Sequence, residues 1–186
     1  ECKELLIWMD REWKGEYSIH AVELPDDYPA SEASVFSFFP SEERQSESLI
    51  ATMNEFDGTG NTSPYLFEPG KSMMKAGAFN LISERFGLTK LGRSTHYYMV
   101  DSEEKANSLK SLGKIYSILR CESLDKRSIK AAGKDFPRSE VTARNIPMDT
   151  DTLRKKLGVT SGDDAHIFGL KSDLRGNLLL CTRRIL

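Results

Sequence analysis

The sequence predicts an α/β (α+β) protein in which short strands and short helices alternate. Its 186 residues are 39% hydrophobic, an ordinary share for a folded chain. Its apolar runs, such as Leu178–Cys181, have the length of strands and fall far short of the roughly 20 residues that span a membrane. From residue 113 onward, strand and helix patterns follow in the order β-α-β-α-β-β. These observations favour a water-exposed globular protein with an ordered terminal module.

The first predicted domain, residues 1–40, combines a helix with two strands. Cys2–Trp13 places apolar side chains at helical spacing, and Gly15 ends the pattern. Tyr17–Leu24 and Ser34–Phe39 are rich in β-branched and aromatic residues, and a proline follows each. The pattern therefore predicts a helix followed by a β-hairpin.

The second predicted domain, residues 41–112, begins with the polar, turn-rich segment Ser41–Ser63. Within it, Asp57–Gly60 imitates a nucleotide-binding glycine loop, but no hydrophobic strand precedes it and no helix follows, so a surface turn is predicted. The remaining elements are an extended Tyr65–Pro69, a helix Gly70–Phe86 capped by Gly87, a strand His96–Val100 and a polar connection Asp101–Ser111.

The third predicted domain, residues 113–186, is the most regular part of the sequence. Glycines and a candidate N-cap, Asp149 or Thr150, mark the ends of its helices. Its predicted elements are strand Lys114–Cys121, helix Leu124–Ala132 ending at Gly133, strand Glu140–Asn145, helix Asp151–Leu157 ending at Gly158, and a hairpin of Ala165–Leu170 with Leu178–Arg184.

Charge is distributed unevenly along the chain, although its net value is only −2. Residues 113–186 contain 15 lysines and arginines against 9 acids, whereas residues 1–112 contain 11 against 19. A basic module joined to an acidic body is a weak sign of a polyanionic partner such as nucleic acid. A solvated basic face without a partner explains the same numbers.

The cysteines and histidines indicate neither a disulfide framework nor a metal site. Cys2, Cys121 and Cys181 are far apart and odd in number, which favours reduced, partly buried thiols in a cytoplasmic protein. The three histidines fall inside predicted strands without ligand spacing, so structural roles are expected. They are His20, His96 and His166.

Two segments carry a resemblance to a known family. Tyr65–Leu88 reads YLFEPGKSMMKAGAFNLISERFGL, and Ala143–Leu157 reads ARNIPMDTDTLRKKL before the strand HIFGL. Together with the opening ECKELLIW, they resemble the C-terminal part of bacterial class I S-adenosylmethionine-dependent methyltransferases with a THUMP-like C-terminal domain. The similarity runs in register along nearly the whole chain.

The resemblance implies that S-adenosylmethionine binds to a methyltransferase domain upstream in the full-length protein. This sequence contains neither the glycine loop nor the ribose-binding acid of such a site. We therefore expect no cofactor, no metal and no catalytic residue in this fragment, and no methyl transfer by it alone. Residues 1–40 would be a remnant of the Rossmann-like methyltransferase sheet, and residues 113–186 the THUMP-like domain.

The THUMP-like resemblance also implies an RNA partner, tRNA or rRNA, with no membrane involved. Lys126, Lys130 and Lys134 recur every four residues and share one helix face, which suits a phosphate backbone. A solvated helix face is the alternative. The full set of candidate nucleic-acid-binding residues is Lys126, Arg127, Lys130, Lys134, Arg154, Lys155 and Lys156.

Three other charged positions stand out. Glu68 precedes Pro69 at a strand end, where it could cap the next helix, pair with Lys71 or Lys75, or shape a substrate entrance. Arg144, at another strand end, could anchor Asp149 or Asp151. Arg183 and Arg184 lie on opposite faces of their strand, so at most one joins any basic surface.

Two functions therefore remain open. In one, the chain recognises RNA for a methyltransferase. In the other, it is a structural or protein-interaction appendage that stabilises the catalytic domain without binding nucleic acid. In either case the hairpin Tyr17–Phe39 should have an unpaired edge, which we expect to be covered by the N-terminal helix or by a second copy in a homodimer.

Overall fold

The computed structural model of the chain describes residues 6–25, 28–51 and 65–185. Strands and short helices alternate along these ranges. The strands are β1 Ile19–Glu23, β2 Ser34–Phe38, β3 Leu49–Ile50, β4 Tyr65–Pro69, β5 Thr89–Gly92, β6 Thr95–Val100, β7 Gly113–Ser123, β8 Arg138–Arg144, β9 Thr160–Ser172 and β10 Gly176–Ile185. The helices are α1 Pro40–Gln45, α2 Lys71–Ala76, α3 Phe79–Phe86, α4 Glu103–Ser108, α5 Lys126–Asp135 and α6 Thr150–Leu157.

Eight strands form one mixed sheet in the order β3-β5-β6-β4-β7-β10-β9-β8, and β1 pairs with β2 in a separate two-stranded sheet. Neighbours in the large sheet are antiparallel except at its two ends, where β3 runs parallel to β5 and β8 parallel to β9. The predicted α/β (α+β) fold class is confirmed.

The helices pack against one face of the large sheet, which we call the outer face. Met73 of α2 and Ile82 of α3 share a core with Ile115 of β7, while Leu153 of α6 shares one with Ile167 of β9. A bulge in β7, opposite the step from Cys181 to Thr182, keeps both cores on the same face.

The opposite, inner face of the sheet is also buried. Its core includes Leu66, Tyr116 and Phe168, and every buried member lies on a strand except Ala51, which follows β3. The face is covered because the sheet curls until β5 and β6 approach β9. The inner face is therefore the interior of a partly closed barrel.

Hydrogen bonds from two loops hold this curl. The backbone N–H of Asp173, in the β9–β10 turn, donates to the carbonyl of Leu91 (3.1 Å), and its carboxylate accepts from the N–H of Arg93 (2.9 Å). Asn145, after β8, donates through Nδ2 to the carbonyl of Ser94 (2.6 Å). These hydrogen bonds join the β5–β6 turn to the β9–β10 turn and to the loop after β8, at the other end of the strand order.

The terminal module has the predicted order, since β7-α5-β8-α6-β9-β10 is β-α-β-α-β-β. Asp149 is the N-cap of α6 and accepts from the N–H of Thr152 (2.7 Å), and Gly158 ends that helix with φ 69°. Asp125 caps α5 in the same way. One boundary prediction was wrong. Gly133 does not end a helix but lies inside α5, where it packs against the backbone of Leu157.

The second domain differs from its prediction in two places. The helix predicted over Gly70–Phe86 is two helices, because Gly77 adopts a left-handed conformation (φ 79°) between α2 and α3. The predicted polar connection Asp101–Ser111 contains α4, capped by Ser102. The segment predicted as turns from Ser41 includes α1 and β3, while its Asp57–Gly60 stretch lies outside the described residues.

The N-terminal prediction was half right. The two strands form the predicted antiparallel pair and bury Ala21, Phe36 and Phe38 against the core of the outer face. The predicted helix is absent from the described part of Cys2–Trp13, residues 6–13, where Trp8 is 95% exposed. That segment consequently does not cover the strand pair as a helix. Cover by a second copy stays a prediction.

The helices are all short. The longest, α5, has ten residues, and in the described ranges no helix is long and apolar enough to cross a membrane.

Replacing Gly133 with alanine should destabilise the terminal module. An added Cβ would meet the carbonyl oxygen of Leu157, a backbone atom that cannot move aside cheaply. We expect the free energy of unfolding to fall by about 1–3 kcal/mol, measured by urea denaturation. In a free helix the same change stabilises by about 0.5–1 kcal/mol, so an unchanged or raised stability would contradict the packing. Lys130→Ala, on the exposed side of α5, is the control.

Candidate functional site

Helix α5 presents a row of cations to solvent. Asp125 fixes its start, and buried Ile129 and Ala132 hold its other side on the sheet. The side chains at its basic positions are exposed, and in the described part of the chain none of them forms an ion pair. These residues are Lys126, Arg127, Lys130 and Lys134.

Helix α6 adds two further free cations beside α5. Lys155 and Lys156 are exposed, and the contact between Gly133 and Leu157 places both helices in one layer. Arg154 differs, because its guanidinium pairs with Glu140 (3.4 Å) and donates to the carbonyl of Ser139 (3.3 Å). The structure thus brings six of the seven predicted residues together as available charges and places Arg154 in an internal ion pair. We call these six residues the outer basic face.

Glu68 has neither of its predicted structural roles. Glu23 from β1 takes the place at the start of α2, accepting from the backbone N–H and the hydroxyl of Ser72, each at 2.8 Å. The Glu68 carboxylate instead accepts from two tyrosines on the inner face, Tyr97 (3.0 Å) and Tyr116 (3.0 Å). Burial and the charge of Glu68 raise the pKa of both tyrosine hydroxyls, which keeps them protonated as donors.

A histidine completes this group. The His166 ring stacks on Phe168 at 4.1 Å and meets Tyr116 edge-on at 5.3 Å. Its Nε2 lies 2.8 Å from the hydroxyl of Thr142. Burial lowers the pKa of His166 from 6.5 to about 4, while the charge of Glu68 acts in the opposite direction. The ring is therefore uncharged at neutral pH.

Three cations surround Glu68 on the same face. Strand pairing places Lys114 opposite Glu68, and Arg184 opposite Tyr116. The charge of Arg144 acts to lower the pKa of Tyr97, opposing the effect of Glu68. All three are exposed, and none is ion-paired within the described ranges. We call the whole set the inner polar cluster; it consists of Glu68, Tyr97, Tyr116, His166, Lys114, Arg144 and Arg184.

Sequence reasoning had singled out Glu68, Arg144 and Arg184 separately but had not brought them together. Alternation along each strand could have placed Arg184 and Tyr116 on inner faces. The curl of the sheet and the strand order, which decide that these faces meet, leave no local signal in the sequence.

The remaining reactive groups have structural surroundings. Cys121 and Cys181 lie on adjacent strands but in different cores, and burial raises the pKa of Cys121 to about 11. His96 stacks on Phe79 at 3.7 Å, and His20 bonds to the hydroxyl of Ser37. Among the residues that the structure describes, no three histidines, cysteines or acids are placed to hold a metal.

The β8-α6-β9 unit does not fit S-adenosylmethionine. Its site in class I enzymes needs a glycine-rich turn between a strand and a helix of a parallel unit. The β8-α6-β9 unit is parallel, but its turn runs Asn145-Ile146-Pro147-Met148-Asp149 without glycine, and the Asn145 side chain is engaged by the β5–β6 turn.

Comparison with known families agrees with this architecture. Residues 65–113 match the model of a ferredoxin-like domain, and residues 113–184 match a THUMP domain-like model. The THUMP-like nature predicted for the terminal module is confirmed. The division at residues 40 and 112 stays a prediction.

Among solved structures, the chain is similar to a crystal structure described as a candidate methyltransferase from Porphyromonas gingivalis W83. The TM-score is 0.74 at 25% sequence identity, over 91% of this chain. The match spans only 38% of the length of that protein. No curated protein matches the sequence.

Acid should destabilise the protein as His166 and His96 become protonated. Burial lowers the pKa of both histidines to about 4. Between pH 6.5 and 4 the unfolded state therefore binds more protons than the folded state. The free energy of unfolding should fall as pH drops through this window, and His166→Gln should reduce the loss. Urea denaturation at several pH values, with NMR titration of the rings, measures both. A folded-state His166 pKa near 6.5 would contradict the burial.

Proposed function

We propose that this chain is the RNA-recognition portion of an S-adenosylmethionine-dependent RNA methyltransferase whose cofactor site lies in another domain. The outer basic face carries the proposal: six exposed cations without ion-pair partners among the described residues stand side by side on two packed helices. They belong to the module that matches a THUMP domain-like model. Methyl transfer would occur in that other domain, and this portion would hold and orient the RNA, tRNA or rRNA.

The geometry of α5 supports contact with a phosphate backbone. Lys126, Lys130 and Lys134 are spaced by four residues, about 6 Å along the helix axis for each step, on the side opposite the buried Ile129 and Ala132. Long lysine side chains on one line can follow successive phosphates and release counterions. Such phosphate contacts add affinity but do not distinguish one RNA sequence from another, which agrees with recognition of RNA by its shape.

The methyltransferase part of the proposal rests on similarity to a solved structure. The similar Porphyromonas gingivalis protein, described as a candidate methyltransferase, is much longer than the matched region. A cofactor domain in the remainder of a longer protein would supply the methyl donor, consistent with a β8-α6-β9 unit that does not fit that cofactor.

A second function, docking onto a catalytic domain without RNA, is favoured by a different observation. Residues 6–13 expose large apolar side chains, among them Leu6 (87%), Trp8 (95%) and Met9 (86%). Next along the chain, the β1–β2 pair also exposes Val22 and Val35 on the side away from the core. Contiguous apolar exposure of this kind is typical of an interaction surface. The upstream domain or a second copy would cover it.

RNA binding can be tested with this chain as it stands. We expect it to bind total tRNA more tightly at low than at moderate salt, and the triple variant Lys126→Gln/Lys130→Gln/Lys134→Gln to lose at least tenfold in affinity. The slope of log affinity against log salt should shrink by roughly 2, since each lost phosphate contact removes about 0.7–0.9. Fluorescence anisotropy measures both quantities.

The matched control removes three exposed cations from the other half of the chain, Arg11→Gln/Lys14→Gln/Lys75→Gln. If both triple variants lose the same affinity for tRNA, net charge alone explains the loss. If the unaltered chain binds no tRNA at low salt but raises the melting temperature of the separately produced upstream domain, the docking function replaces RNA recognition.

A further inference from the structure

We propose that the inner polar cluster is a second RNA contact, which takes one unpaired ribonucleotide: Arg144, Arg184 and Lys114 bind its phosphate, and Glu68 accepts a hydrogen bond from its ribose hydroxyl. This inference rests on the proposed function and deepens it. It adds a site on the opposite face of the sheet from the outer basic face, with a stated ligand chemistry.

The charges around the cluster call for an anion. Lys114, Arg144 and Arg184 are exposed, and among the described residues no acid lies within 4 Å of their charged groups. The other nearby acid, Glu140, is already paired with Arg154 (3.4 Å). Three cations against the single carboxylate of Glu68 leave a positive surface, with arginines suited to the planar, two-pronged binding of phosphate.

The Glu68 carboxylate lies among these cations, so a ligand that binds them should also carry a hydrogen-bond donor. Glu68 is partly exposed, and each of its oxygens accepts one tyrosine hydroxyl at 3.0 Å. An ionised carboxylate has about four acceptor positions, so half of its capacity remains. Tyr97 and Tyr116 fix its orientation, because burial keeps both hydroxyls protonated as donors. A phosphodiester group has no O–H and offers no such donor, whereas the 2′-hydroxyl of RNA does.

The aromatic members suit a sugar or base next to that phosphate. His166 is partly exposed, uncharged at neutral pH and held between Phe168 and the hydroxyl of Thr142. It therefore adds a fixed, polar, unsaturated surface without adding charge. Unpaired nucleotides are the form of RNA whose bases and hydroxyls reach such surfaces.

A purely structural role explains the tyrosines but not the cations. Two buried hydroxyls need an acceptor, and Glu68 provides one. The closure of the sheet needs no exposed Lys114, Arg144 and Arg184 around that acceptor. The three cations come from three different strands, β7, β8 and β10, and each lies near a different member of the group Glu68, Tyr97 and Tyr116, which is the feature that points to a ligand.

The test compares binding of a short unstructured ribo-oligonucleotide with its deoxy counterpart by fluorescence anisotropy. Arg144→Gln/Arg184→Gln should weaken RNA binding at least tenfold and reduce the salt slope by roughly 1.4, two single-strand contacts. Glu68→Gln removes one negative charge, which should favour both ligands equally, so binding of RNA should weaken about fivefold relative to binding of DNA, the value of one hydrogen bond. Because the two arginines are exposed, their loss should spare the fold, and thermal unfolding checks this for every variant.

The two proposals fail in different ways. Because the cluster and the outer basic face lie on opposite sides of the sheet, the losses from Arg144→Gln/Arg184→Gln and from the α5 triple variant should add. Unaltered RNA binding by the double arginine variant, while the α5 variant loses affinity, would overturn the cluster site and keep the proposed function. Equal effects of Glu68→Gln on RNA and DNA would overturn the ribose contact. If the unaltered chain binds no RNA, both the cluster site and the proposed function are overturned. Tighter binding of an acidic peptide than of RNA would overturn both as well.

Discussion

The curl of the eight-stranded sheet is the constraint on which the rest of the structure depends. A flat sheet with helices on one face would leave Leu66, Tyr116 and Phe168 in water. Hydrogen bonds with Asp173 and Asn145 hold the β5–β6 turn against the opposite end of the sheet. Curling turns the inner face into a core, so a single layer of helices is enough to complete the protein.

The curl also separates two chemical environments. Outside it, α5 and α6 hold six exposed cations, none of which forms an ion pair among the described residues. Inside it, polar side chains from five strands gather about one carboxylate, Glu68. The only described link between the sides is the pair of Arg154 with Glu140, which joins α6 to the edge strand β8.

Local sequence signals predicted most of this fold, and nonlocal contacts explain the errors. Caps and glycines located α6 correctly, because Asp149 and Gly158 act through the backbone beside them. The same reasoning misjudged Gly133, where closeness to Leu157 rather than helix termination requires glycine. It also included helix capping among three open roles for Glu68, although Glu23 plays that role from a distant strand. The basic helices were visible as a pattern, whereas the inner polar cluster depends on strand order.

The position of β10 in the sheet affects how the sheet is assembled. It is the latest strand of the sheet in sequence, yet it lies between β7 and β9 and hydrogen-bonds to both. Without residues 176–185, β7 and β9 would each keep an unpaired edge, and the hydrogen-bonded sheet would be divided between them. The pairing of β10 with both neighbours is therefore the step that completes the sheet, and a wrong strand could bind at those edges before it.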